Sequence, residues 1–90
     1  MEEKQVKIII KGKVQGVGFR FTAHLGFVDL GLVGKAENIK DGSIEIIVKG
    51  APDKLERLIK WCHKGPEGAR VESVEVEDMP VDPELGKIEK

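Results

Sequence analysis

The stretch Val6-Lys7-Ile8-Ile9-Ile10-Lys11 restricts the folds open to this chain more than any other. Val6, Ile8 and Ile10 fall on one side of an extended backbone and Lys7, Ile9 and Lys11 on the other, and the run ends near Gly12. β-Branched residues at a period of two predict a strand, largely buried, whose apolar side needs a cover. Two further strands are predicted over residues 33–39 and 43–49, flanking Lys40-Asp41-Gly42. The Asp-Gly pair there suits a tight hairpin turn, and Ile44, Ile46 and Val48 then share one face.

The cover comes from two helical segments. Residues 20–30 carry Phe21, Leu25 and Val28 at helical spacing, with Phe27 and Leu30 beside them, and Gly31 as the stop. Gly26 weakens this helix by about 1 kcal/mol relative to alanine. Pro52 fits a first helical position and Asp53 favours the helix dipole there. Leu55, Leu58, Ile59 and Cys62 follow at i, i+3, i+4 and i+7, and Gly65 closes the segment. Beyond it, Val74 and Val76 alternate with Ser73, Glu75 and Glu77 as another strand, and Val71 falls out of register, which predicts a bulge or a strand start. Residues 79–90 hold two prolines, and 87–89 are expected to add a short edge strand around Ile88.

The order is βαββαβ, without repeat or linker. Two short helices cannot cover both faces of a small sheet, so the expected class is α+β: a sandwich of an antiparallel sheet with two helices on one face. Its 90 residues make a single domain over 1–90. Apolar residues are 40% of the chain, enough for a packed core. One cysteine, Cys62, excludes an internal disulfide, and it lies on the apolar face of the second helix, where packing accounts for it. One Cys and two distant histidines match no zinc pattern. There is no signal-peptide core and no apolar run of eighteen residues, so a reduced, soluble, cytoplasmic protein is expected, with no membrane partner.

The first strand runs into Lys13-Val14-Gln15-Gly16-Val17-Gly18-Phe19-Arg20-Phe21. Gly16-Val17-Gly18 is half of a dinucleotide fingerprint with Phe21 where its third glycine belongs, and no Gly-Lys-Ser/Thr completes a phosphate loop of the nucleotide-binding kind. A glycine loop between a strand's end and a helix's start can still turn successive N–H groups into one concavity that an anion satisfies. Arg20 adds a planar fork matched to two phosphate oxygens, and Lys13 adds positive potential. Charge is segregated: residues 72–84 hold Glu72, Glu75, Glu77, Asp78, Asp82 and Glu84 with no lysine or arginine, while the first twenty residues are basic on balance. The net charge of -1 argues against a general polyanion binder. On residues alone the loop reads equally as an anion site or as a glycine-rich connection ending in a surface arginine, and Asn38, near a Lys-Asp-Gly turn, as a turn former.

Gly12-Lys13-Val14-Gln15-Gly16-Val17-Gly18-Phe19-Arg20 resembles the signature of the acylphosphatase family. The second family signature, around an asparagine before a turn glycine, is similar to residues 31–42 with Asn38 and Gly42. The likeness extends over nearly the whole chain. It implies a ferredoxin-like βαββαβ sandwich and metal-independent hydrolysis of acyl phosphates to carboxylate and inorganic phosphate, with no cofactor. It also implies that backbone N–H groups of Gln15, Gly16, Val17, Gly18, Phe19 and Arg20 bind the phosphate with the Arg20 side chain, and that Asn38 orients the attacking water. Lys35 and Glu37 depart from what relatives carry near the asparagine, and alternation puts Glu37 on the opposite strand face from Asn38. A monomer is expected. A nucleic-acid partner is not, because the aromatics are Phe19, Phe21, Phe27 and Trp61, none on a predicted strand. The alternative is a non-catalytic phosphate-binding or partner-docking module on the same fold.

Overall fold

The computed structural model describes residues 2–87. The element order is β1 (Lys4–Lys13), α1 (Phe19–Leu30), β2 (Val33–Asn38), β3 (Ile44–Gly50), α2 (Pro52–Lys64) and β4 (Arg70–Met79). The strands form one sheet in the order β2-β3-β1-β4, every neighbouring pair antiparallel. This is the ferredoxin-like arrangement. The expected edge strand around Ile88 lies outside the described residues.

β1 and β3 are the central strands. Val6, Ile8 and Ile10 stand opposite Val48, Ile46 and Ile44, all buried, so one face of the sheet's middle is continuous hydrocarbon. Both helices pack on that face. α2 contributes Leu55, Leu58 and Cys62, as its spacing predicted, and Ile59 sits at the margin. Burial alone pushes the Cys62 thiol up to about 12. No helix among the described residues is long and apolar enough to cross a membrane.

α1 corrects the sequence reading. Its buried residues are Phe19, Ala23 and Phe27, whereas Phe21, Leu25 and Val28, which share a helical spacing, are 69%, 52% and 80% exposed. Arg20, Thr22, His24 and Asp29 separate two apolar stripes on this helix, so periodicity did not single out the inward one. Phe19 marks it, stacking at a tilt on Trp61 of α2, ring centres 5.0 Å apart. Gly26 also faces α2, where a Cβ would lie 3.7 Å from a Leu58 methyl, an ordinary packing distance.

The other face is partly covered by the segment after β4. Asp82 takes the Gln5 side-chain oxygen with its N–H at 2.7 Å and gives its carbonyl to the Lys49 ammonium at 2.7 Å. Gln5 and Lys49 are thereby buried although both are polar. The acidic residues from Glu72 to Glu84 are all exposed, as a solvated face predicts.

The register of β1 on β4 shifts between Lys11 and Gly12, leaving Glu72 unpaired. That is the bulge implied by Val71. The extra residue is on β4, which bends there, beside the end of β1 where the chain enters the glycine loop. Gly12 has φ 131, and a Cβ there would run into the Arg70 carbonyl oxygen and lie 2.8 Å from the Glu72 nitrogen. Gly12→Ala is therefore expected to destabilise the protein by about 2–3 kcal/mol, read from the urea unfolding midpoint; an unchanged midpoint would show that the bulge accepts a side chain. The buried Cys62 is expected to stay inert to an aromatic disulfide thiol reagent at pH 8 in the native protein and to react fully once unfolded.

Candidate active site

Past the bulge, β1 runs into residues 14–18. Val14 is fully buried and anchors the loop to the core. Gly16 and Gly18 then take left-handed conformations, φ 80 and 79, and Gly18 caps α1. A Cβ at either would meet nothing within 4 Å, so glycine is required there by conformation, not by crowding.

No side chain caps α1 and no acid sits in its first turn. The first helical bond runs from the Thr22 N–H to the Gly18 carbonyl at 3.0 Å, and the Thr22 hydroxyl donates to the same oxygen at 3.0 Å. Among the described residues, none of the backbone N–H groups of residues 15–21 donates a hydrogen bond. A run of unused donors at a helix N-terminus is an anion cradle with its positive potential uncancelled. Arg20 is exposed, and among the described residues no carboxylate pairs with it.

Facing the loop is the end of β2. Asn38 pairs with Ile44, on the helix-covered face of the sheet. Glu37 pairs with Glu45, and Lys35 with Ile47, on the opposite face, so both departures from the family pattern point away from the loop. A pocket of about 230 Å³ is lined by Val14, Gly16, Gly18, Phe19, Arg20, Phe21, Asn38 and Ile44. This is smaller than the roughly 300–1,000 Å³ of sites for drug-sized ligands and suits a single compact anion. Of the residues singled out from the sequence, Gly16, Gly18, Phe19, Arg20 and Asn38 meet in this pocket. Val17 leans on the core instead.

Gln15 does something the sequence did not reveal. Its side-chain nitrogen donates to the Ile39 carbonyl at 2.8 Å and the Ser43 carbonyl at 2.9 Å, spanning both limbs of the turn that follows Asn38. Ser43 O also accepts the Ile39 N–H at 2.8 Å, and the Gly42 N–H closes the turn onto the Ile39 carbonyl at 3.0 Å. Asp41 adds a brace: its carboxylate accepts the Ser43 hydroxyl at 2.6 Å and the Ser43 N–H at 2.9 Å. The Ser43 hydroxyl first, then its N–H, hold the Asp41 carboxyl below its ordinary value of 3.8. A depressed folded-state pKa means this brace is present above the ordinary value and is lost as pH falls through the lowered one. Gln15 thus fixes the distance between the glycine loop and the strand end carrying Asn38. Only the presence of a glutamine between buried Val14 and Gly16 hinted at it, and its partners lie 24 and 28 positions away.

Among the described residues no group of three or more His, Cys, Asp and Glu side chains is placed to hold a metal ion. His24 lies edge-on to Phe27, 5.1 Å between centres, and outside the pocket. A broader depression of about 590 Å³ on α2, lined by Asp53, Glu56, Arg57, Ile59, Lys60 and His63, mixes both charges on an open helix face and is lined by side chains of that helix alone.

The acylphosphatase family model matches residues 6–89. An acylphosphatase of Aliivibrio fischeri is 47% identical over 79 residues, which are 87% of this chain and 87% of that one. An acylphosphatase structure from Coxiella burnetii is similar with TM-score 0.86 and 32% identity, over 89% of this chain and 84% of that one. Full-length HypF, in a phosphate- and nucleotide-bound form, is similar with TM-score 0.85 and 25% identity over 91% of this chain but 11% of its own.

Removing the bridge tests its role. Gln15→Ala leaves the Ile39 and Ser43 carbonyls without their side-chain donor and is expected to lower stability by about 1–2 kcal/mol, read from urea unfolding. Inorganic phosphate binding should be retained, because the substitution removes neither a loop N–H group nor the Arg20 guanidinium. Loss of phosphate binding with stability unchanged would place the Gln15 side chain in the anion site and not in the turn.

Proposed function

The chain belongs to the acylphosphatase family and has that family's activity, and we propose that the pocket between the glycine loop and Asn38 is where the carboxyl–phosphate bond is hydrolysed. One observation supports this above the others: Gly16, Gly18, Phe19, Arg20 and Asn38 line one cavity of about 230 Å³, beside a helix start whose N–H groups donate to no protein acceptor among the described residues.

In this reading the backbone N–H groups of Gln15, Gly16, Val17, Gly18, Phe19 and Arg20 donate to the phosphoryl oxygens, and the Arg20 guanidinium donates to two of them as a fork. The Asn38 amide holds a water on the far side of phosphorus from the acyl oxygen. Attack forms the new P–O bond as the bond to the acyl oxygen breaks, and the carboxylate leaves with that electron pair. The water's proton goes to a phosphoryl oxygen, so an acyl phosphate dianion and water give a carboxylate and dihydrogen phosphate. A carboxylate is a weak base, with an ordinary pKa of about 4, and leaves without a general acid. Positioning and stabilisation of charge on the equatorial oxygens then carry the rate. Substrate and product are small anions, and no nucleic acid or membrane partner enters. The lone buried Cys62 suits a reducing compartment, and the reading includes a cytoplasmic monomer acting as one domain.

The test uses benzoyl phosphate and phosphate release. Arg20→Ala is expected to lower kcat/KM by more than about a hundredfold and to abolish phosphate inhibition. Asn38→Ala is expected to lower kcat by about a hundredfold while phosphate still inhibits. Both residues are exposed, so circular dichroism and the unfolding midpoint should be near those of the parent. Wild-type release no faster than background, with phosphate bound, would replace this assignment by the non-catalytic module; activity retained in Arg20→Ala would remove the arginine from the site.

A further inference from the structure

α1 carries an apolar strip that the fold does not use. Phe21, Leu25 and Val28 are 69%, 52% and 80% exposed, while the same helix buries Phe19, Ala23 and Phe27. Phe21 is the part of this strip that also lines the pocket with Arg20 and Asn38. Leu25 lies one turn on, within reach of the same group, and lines an adjoining groove between the helices with Thr22, Gly26, Leu58 and Trp61. Exposing an aromatic ring at the mouth of an anion pocket gains nothing for folding.

We propose that Phe21, backed by Leu25, is the acyl subsite, and that the enzyme selects acyl phosphates with an aromatic or other bulky apolar acyl group. This rests on the hydrolytic reading of the pocket. The geometry follows from in-line displacement. With the water held by Asn38 on the β2 side, the leaving acyl oxygen points away from β2, toward the side formed by the first turn of α1. The side chains the acyl group meets there are Phe21 and then Leu25. The Thr22 hydroxyl proton is not free for an acyl oxygen, because it already goes to the Gly18 carbonyl. Arg20, taken up by the phosphate, is the charged side chain lining the pocket, while Asp29 and Arg57 belong to the adjoining groove. A short carboxylated acyl group that ends at Phe21 meets no second cation lining the pocket. An aromatic acyl group can lie edge-on or offset against the Phe21 ring.

The experiment compares benzoyl phosphate with acetyl phosphate in the wild type, Phe21→Ala, Phe21→Leu, Leu25→Ala and Val28→Ser. Each substrate is referred to its own wild-type value, so differences in inherent reactivity cancel. Phe21→Ala is expected to lower kcat/KM for benzoyl phosphate about tenfold more than for acetyl phosphate, with Leu25→Ala showing a smaller loss of the same kind. Phe21→Leu should recover most of the benzoyl preference, and Val28→Ser, beyond the acyl group's reach, should leave both substrates as they were. The inhibition constant of inorganic phosphate should not follow the benzoyl loss. Equal falls for both substrates, or a matching loss of phosphate inhibition, would make Phe21 a wall of the phosphate pocket and overturn the subsite. No change in any variant would overturn it as well. A wild type that turns over neither substrate removes the hydrolytic reading itself, and the subsite with it.

Discussion

The antiparallel pairing of β1 with β3 is the constraint from which the site follows. Their register puts Ile10 opposite Ile44. One step further along β1 lies the bulge at Gly12, and the loop 14–18 departs from there; one step before Ile44 lies the turn 39–43. The same register that seals the hydrocarbon face therefore sets the glycine loop and the end of β2 side by side. A slip of β1 by one residue against β3 would turn Val6, Ile8 and Ile10 out of the core and would also shift the glycine loop against the end of β2. Stability and the site's geometry are consequences of one alignment. Gln15 sharpens it by bonding the two limbs of the turn directly to the loop.

Charge is segregated around this alignment in a chain of net charge -1, with the carboxylates kept away from the proposed phosphate site. The acidic residues of β4 point to solvent at the sheet's far edge, where exposed Lys4 and half-buried Lys7 meet exposed Asp78 and Glu77 at 3.8 and 3.9 Å. Glu37 and Glu45 face the side of the sheet away from the helices. The α1 terminus has no acid in its first turn and Arg20 has no carboxylate among the described residues. In the proposed site an anion would meet backbone dipoles and one guanidinium that no carboxylate pairs with among the described residues, and at short range this outweighs overall charge.

How much of this could be read from the chain depends on how local each signal was. Strands with strict alternation, such as Val6 to Ile10 and Ile44 to Val48, specify both their conformation and their buried side, and α2 does the same with Leu55, Leu58 and Cys62. The bulge was legible because Val71 breaks the period of Val74 and Val76. The glycine loop and Asn38 were legible as a pattern of residue types at set spacings. α1 was not, since a helix with two apolar stripes does not say which of them turns inward, and Phe19 against Trp61 marks the one that does. The bonds of Gln15 and of Asp82 were hidden for another reason: each joins residues at least 24 positions apart, so no local window contains both partners.

The error over α1 is informative about function. An apolar residue is ordinarily placed in the core by default, and Phe21, Leu25 and Val28 were read as one face on that basis. The fold instead spends Phe19, Ala23 and Phe27 on packing and leaves the more hydrophobic set in water. A backbone cradle recognises the phosphoryl group, which all substrates of this class share, and so it cannot tell one acyl phosphate from another. Discrimination has to come from side chains outside the cradle and within reach of the group that differs. Arg20 and Asn38 are committed to phosphate and water in the proposed chemistry, and Gln15 to the turn. Phe21 lines the same pocket without any such commitment, so the surplus of apolar surface on α1 and the need for an acyl-recognising element fall on one residue.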